Sequence, residues 1–299
     1  MAIDLAVVPV AGQGTRLLPA TKSQPKEMLP VGRKPIVQYV VEELAQADIK
    51  RLLFITGAGK TSIENHFDIN SDLIQYLRET GREEQLAELE FERKDIEYFY
   101  TRQRRPLGLG HAVLCAKPFV MNQPFVVALG DSIIGLHAQS QVVRRMIEEF
   151  ERSEDVKVVI AFEEVPREDV FRYGIAKPRG DAAGEIFELE DLIEKPDVDE
   201  APSNLAVAAR YVFDASIFDF LEKTPPGKGN EIQLTDAIRL MLQQGAKGVG
   251  IRLPATERRY DIGNFSSYFR AFVEFALADP RFGDDLRQYV KHLLKSETE

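Results

Sequence analysis

LAVVPVAGQGTRLLPATKSQPKEMLP, residues 5–30, passes from an apolar run (Leu5 to Val10) straight into a glycine turn and then a basic, proline-rich loop. The pattern predicts a buried strand followed by a phosphate-binding loop. Gly12 and Gly14 remove two Cβ atoms from the turn, so backbone N–H groups can close on an anionic ligand. Arg16 follows with a planar fork of donors suited to phosphate, and Lys26 adds a mobile point charge beyond Pro25. A structural turn with solvated charges would use the same residues. A dinucleotide fingerprint would need a third glycine and an immediate helix, whereas Pro19, Pro25 and Pro30 interrupt this segment.

Working outward, 35–47 places Ile36, Val37, Val40, Val41 and Leu44 on one helical face, with Pro35 suited to the first turn, and 51–56 (RLLFIT) reads as the next buried strand. A strand, helix, strand order predicts a right-handed parallel α/β unit. GAGKTS at 57–62 ends like a P-loop, but Phe54 stands where its first glycine belongs, so a turn and a short helix through Ile63 and Phe67 are expected. His66 has no second histidine at metal spacing. Residues 71–93 read as a charged, solvated helical excursion. A strand at 96–101 leads into QRRPLGLGHAVL, a second glycine turn opening a helix at His111. Two such turns at the carboxyl edge of a sheet predict one shared ligand crevice.

Strand 125–130 ends at Asp131, where α/β enzymes present ligands. A helix is expected over 138–152 and a central strand over 156–165. The segments 173–180 and 186–196 should pair antiparallel across Gly180 and Gly184. A strand ending near 214, helices near 216–222 and 234–242, a strand at VGIRLPA and two amphipathic helices at 264–278 and 284–295 complete the chain. The sheet is therefore mixed.

The chain has 299 residues, 44% apolar and 29% charged, which places it among globular proteins with a sizeable core. A net charge of −10 argues against broad contact with nucleic acid or an anionic membrane, so a phosphate ligand must be held by a local basic cluster. One cysteine, Cys115, rules out an intrachain disulfide. No leader follows Met1 and no apolar run is long enough to cross a bilayer, which makes the cytoplasm the expected location.

The ordered set AGQGTR, PKEMLP, PLGLGHA, EKP, APSNLA, EIQLTDAI and RYDIG resembles the sugar-1-phosphate nucleotidyltransferases, and is most similar to the bacterial uridylyltransferases that act on UTP and glucose 1-phosphate. The resemblance implies a Rossmann-like, mixed but mostly parallel α/β sheet flanked by helices, of the nucleotide-diphospho-sugar transferase type. Residues 1–263 would form the nucleotidyltransferase domain, and 264–299 a helical tail packing on it or at the interface of a homodimer or homotetramer. It implies UDP-glucose and pyrophosphate as products and Mg²⁺ as cofactor.

Residue by residue, Ala11, Gly12, Gly14 and Thr15 would cradle the nucleotide, and Arg16 and Lys26 its triphosphate. Gln103 would read the uracil edge, with Gly108 admitting the base. Gly174, Glu194 and Asn204 would face the sugar, and Lys195 its 1-phosphate. Asp131 and Asp261 would share the metal. Two positions depart from the family pattern: Ser132 where a second acid is common, and Phe265 where a lysine often stands. A related enzyme with another nucleotide or sugar, and a non-catalytic nucleotide-sugar-binding paralogue, remain as alternatives.

Overall fold

The computed structural model describes residues 3–93, 95–180, 182 and 184–296. Part of the expected Gly180–Gly184 turn, the first two residues of the chain and the last three of its tail lie outside them. The main sheet has strands β1 (Leu5–Pro9), β2 (Arg51–Thr56), β3 (Glu97–Arg102), β4 (Phe125–Ala128), β5 (Val156–Glu164), β6 (Gly174–Pro178), β7 (Ile186–Glu194), β8 (Leu205–Phe213) and β9 (Lys247–Arg252). Their spatial order is β3-β2-β1-β4-β8-β5-β9-β7-β6. Strands β7 and β8 run against the rest, so the sheet is mixed and mostly co-directional, as expected.

Alternation along β1 explains the layers. Ala6 and Val8 face one core with Val37, Val40, Val41 and Leu44 of the Ile36–Gln46 helix. Leu5 and Val7 face a second core with Ala112, Val113, Leu234 and Ile238. A strand apolar on both faces must be covered on both, which is why helices flank this sheet.

A third cluster positions the rim. Leu17, Leu29 and Val31 from the proline-rich loop pack with Ile133, Ile262, Ala271 and Phe275. Ile133 and Ile262 come from, and just after, a two-stranded antiparallel ribbon of Ser132–Ile134 and Arg259–Asp261. Apolar burial of about 1.5–3 kcal/mol per large side chain thereby ties the loop of Arg16 and Lys26 to the ribbon of Asp261 and to the Phe265–Leu277 helix.

Two helix starts differ from the sequence reading. The helix expected at His111 begins at Leu109, because Gly110 N donates to Ile232 O at 2.8 Å and locks the turn two residues earlier. The helix expected from 138 begins at Val142: His137 and Ala138 adopt left-handed φ values of 59° and 53°, and Ser140 Oγ accepts from Val142 N at 3.1 Å. Residues 71–93 hold the short helices Ser71–Glu79 and Glu83–Ala87, largely exposed, with Leu77 buried.

Candidate active site

A cavity of about 640 Å³ opens at the carboxyl end of β1 and β4. Ala11, Gly12, Gly14, Thr15 and Arg16 line one wall, Lys26 and Asp131 the floor, Gln103 and Gly108 a second wall, and Gly174, Glu194 and Lys195 a third. Gly14 has φ +66°, a left-handed turn that a side chain rarely adopts, and its carbonyl accepts from Thr21 Oγ1 at 2.7 Å. Arg16 sits in the following 3₁₀ turn with its side chain exposed and makes no ion pair or side-chain hydrogen bond to a described residue.

Lys26 Nζ donates to Asp131 Oδ2 at 2.5 Å. Burial works to lower the Lys26 pKa, but Asp131 overrides it and holds it above the ordinary lysine value. Burial likewise works to raise Asp131, and Lys26 overrides that, holding this carboxyl below the usual range. Asp261 behaves in the opposite way: burial first, then the charge of Asp131, pushes it up. Asp261 is not among the cavity-lining residues; it lies behind Gly263, which is, and strand register sets it opposite Ser132. Two hard carboxylates beside a cavity rich in phosphate-binding groups suit Mg²⁺, which commonly takes one or two carboxylates and completes its octahedron with water and substrate phosphates. Among the described residues, no cluster of three metal-ligating side chains exists, so a dedicated protein cage is absent.

On the second glycine turn, Gln103 Nε2 donates to Gly108 O at 2.9 Å and lies 3.0 Å from His111 Nδ1. The amide is thus held against the turn that it precedes. Gly108 has φ +97°, and a Cβ there would stand 2.7 Å from Glu231 Cβ and 2.8 Å from Ile232 O. Its need for glycine arises from the Glu231–Ile232 backbone that packs over it.

Glu194 ends β7 and Lys195 follows in a left-handed conformation, φ +46°, with its amide donating to Tyr173 O at 2.9 Å. Lys195 Nζ rests 2.9 Å from Glu194 Oε1. A non-glycine residue held in this region stores strain, a feature concentrated at ligand sites. Gly174 is hemmed in: a Cβ would meet Thr235 Oγ1 at 3.2 Å, Val207 Cγ2 at 3.3 Å and Glu194 Oε2 at 3.5 Å. Asn204 stands apart, exposed and off the cavity wall, its carbonyl accepting from Val165 N at 3.0 Å.

Residues 5–276 match the family described as nucleotidyl transferase. This chain belongs to the nucleotidyl transferase family. It is 44% identical, over 98% of its own length and 96% of the relative's, to a UTP–glucose-1-phosphate uridylyltransferase of Bacillus subtilis. A UTP-bound UGPase from Acinetobacter baumannii superposes with a TM-score of 0.87 at 39% identity, covering 97% of this chain and 99% of the other. A UDP-glucose pyrophosphorylase complexed with UDP-glucose gives 0.82 at 35% identity, over 93% of this chain and all of its own.

Several residues of this nucleotidyl transferase were not singled out by their sequence. Glu27 lines the cavity and its Oε2 accepts from Lys60 Nζ at 2.8 Å, both side chains nearly sealed. Lys60 belongs to GAGKTS, so the lysine that mimics a P-loop instead braces the loop carrying Lys26. Arg210 and Glu43 form a wholly buried pair at 2.6 Å, and Arg210 Nη2 also donates to Ser132 O at 2.9 Å, next to Asp131. Arg210 is aimed there by a bulge in β8, where register shifts between Val207 and Tyr211 and Ala209 has φ +60°. Tyr173 and Arg259 also line the cavity. Only Arg259 carried a signal, its alternation with Asp261 in RYDIG.

Proposed function

We propose that this chain joins UTP and glucose 1-phosphate into UDP-glucose and pyrophosphate. One observation carries the reading: a single cavity is bordered by both glycine turns, by Arg16 and Lys26, by Asp131, and by the Glu194–Lys195 end of β7. Cations at separate edges of one cavity suit two phosphorylated substrates that must meet despite mutual repulsion. The UTP and UDP-glucose named for the similar solved structures support the choice of nucleotide and sugar.

In this reading an oxygen of the sugar phosphate attacks the α-phosphorus in line and pyrophosphate leaves. That phosphate is already ionised near neutral pH, so no general base is required. Arg16 and the glycine turn hold the triphosphate, and Lys195 draws the incoming phosphate. Asp131 and Asp261 would hold Mg²⁺, which when bound neutralises charge on the phosphate oxygens. Lys26, paired with Asp131 at 2.5 Å, is the cation beside the carboxylates that would hold the metal, and it would add its charge to the hold on the triphosphate.

Gln103 and Gly108 form the base wall, and Gly174 and Glu194 the sugar wall; Asn204 reaches the sugar only if its loop moves inward. Residues 1–263 act as the catalytic unit with the tail as its brace. Phe269, Phe272 and Val273 expose apolar surface on the Phe265–Leu277 helix, which supports a homodimer or homotetramer. Among the described residues no helix is long and apolar enough to cross a membrane, and we place the enzyme in the cytoplasm. A panel of the four nucleoside triphosphates against several sugar 1-phosphates, read by pyrophosphate release, tests the reading: UTP with glucose 1-phosphate should lead. A different leading pair would reassign the substrates, and no release from any pair would favour a binding-only protein.

A further inference from the structure

The antiparallel ribbon sets Arg259 opposite Ile134 and Asp261 opposite Ser132. Residues two apart on a strand share a face. Tyr260 between them turns away and packs its ring 5.0 Å from that of Phe275, so Arg259 and Asp261 share the opposite face, Arg259 lining the cavity and Asp261 set behind Gly263. The Arg259 side chain is only 8% exposed yet lines the cavity. Its main-chain N donates to Glu163 Oε2 at 3.2 Å and its Nε to Glu163 Oε1 at 2.6 Å. The guanidinium carbon lies 4.6 Å from the centre of the Tyr173 ring.

Neither Nη group hydrogen-bonds a described residue. A guanidinium has five donors and loses much when they stay unpaired in a sealed place. Here one edge is satisfied and stacked, which leaves the outer fork preorganised for a planar or tetrahedral oxyanion. Tyr173 links this fork to the sugar side: its ring is under Arg259 and its carbonyl accepts the Lys195 amide at 2.9 Å. Arg16 and Lys26, by contrast, rise from the loop after β1.

We propose that the Nη groups of Arg259 bind the phosphate of the sugar 1-phosphate, across from Lys195, holding the attacking oxygen between a rigid and a flexible cation. The proposal rests on the nucleotidyl transfer described above. In that step an oxygen of the sugar phosphate forms a bond to the α-phosphorus. The bond from that phosphorus to its bridging oxygen breaks, and pyrophosphate leaves with the electron pair. Arg259 therefore touches a reacting group, and the same phosphate becomes the sugar-side phosphate of the nucleotide sugar.

The test compares wild type, Arg259→Lys and Arg259→Met by calorimetric titration with UDP-glucose and with UTP, and by steady-state KM values for glucose 1-phosphate, UTP and Mg²⁺. A charged contact of this kind predicts UDP-glucose affinity weakened about 10- to 100-fold in Arg259→Met, with UTP affinity unchanged within about twofold, a margin small beside the tenfold that 1.4 kcal/mol represents. The KM for glucose 1-phosphate should rise in parallel, and Arg259→Lys should lie between. Equal loss of UTP and UDP-glucose binding, or a change confined to the Mg²⁺ requirement, would overturn the proposal, the latter assigning Arg259 to the placement of Asp261. If Arg259→Met does not fold, Arg259→Lys decides, since it keeps a cation facing Glu163: unaltered UDP-glucose affinity sinks the proposal. Binding is read without turnover, so a wild type that binds UDP-glucose through Arg259 but forms none would refute the proposed reaction and leave the contact standing.

Discussion

Lys26 and Asp131, 105 positions apart in the chain, meet at 2.5 Å on the floor of the cavity. The lysine comes from the proline-rich loop after β1 and the aspartate from the end of β4, so this contact joins the two halves of the phosphate-binding rim. Replacing Asp131 by Asn keeps the shape and removes the charge. Losing a group of this kind removes roughly 3 kcal/mol of transition-state stabilisation, about a hundredfold in rate. Initial rates of pyrophosphate release with saturating Mg²⁺ should show that drop; an undiminished rate in a folded Asp131→Asn enzyme would remove Asp131 from the metal site.

The same pair makes an acid-stability prediction. Asp131 is held below the unfolded carboxylate value of about 3.9, so its contribution is present above that pH and lost as pH falls through its depressed folded value. Melting temperatures followed from neutral pH down to about 3 should fall more steeply for wild type than for Asp131→Asn, and the two curves should converge in acid. Parallel curves would mean that Lys26 does not hold Asp131 charged.

Arg210 and Glu43 predict a stability effect of another kind. Both side chains are fully buried, and removing one partner strands a charge, which costs about 3–5 kcal/mol. Urea unfolding of Glu43→Gln and Arg210→Met should each show such a loss, while the double variant should recover much of it. Because Arg210 also holds the Ser132 carbonyl, Arg210→Met should raise the KM for Mg²⁺. A double variant no more stable than the singles would argue against pairing as the source.

Gly108→Ala places a Cβ within 2.7 Å of Glu231 Cβ at a φ of +97°. Strain of this sort costs about 1–3 kcal/mol, and relief requires the turn that holds Gln103 to shift. Titration with UTP should therefore show weaker binding in Gly108→Ala together with a lower melting temperature. Unchanged UTP affinity would separate this turn from the base wall.

Periodicity was enough to read most of the architecture, since Leu5–Val10 and Arg51–Thr56 are apolar on both faces and Val37, Val40, Val41 and Leu44 repeat at helical spacing. What escaped depends on tertiary contact. The antiparallel ribbon of Ser132–Ile134 with Arg259–Asp261 pairs three-residue strands far apart in the chain, too short for alternation to register. The early start of the Leu109–Leu114 helix depends on a hydrogen bond from Gly110 to Ile232 that no local propensity reveals. Within the site, glycine turns and strand-end acids were legible because their chemistry is local. Glu27 was not, because a glutamate beside a lysine reads as a solvated charge until Lys60 is found against it.

In the proposed reaction one rim brings two phosphates together so that the α-phosphorus changes partners. Incubating the protein with Mg²⁺, glucose 1-phosphate and UTP labelled at the α-phosphorus tests this most directly. The label should appear in UDP-glucose, with unlabelled pyrophosphate released in equal amount. Label recovered only as UMP or UDP, or pyrophosphate released at the same rate without glucose 1-phosphate, would contradict the account.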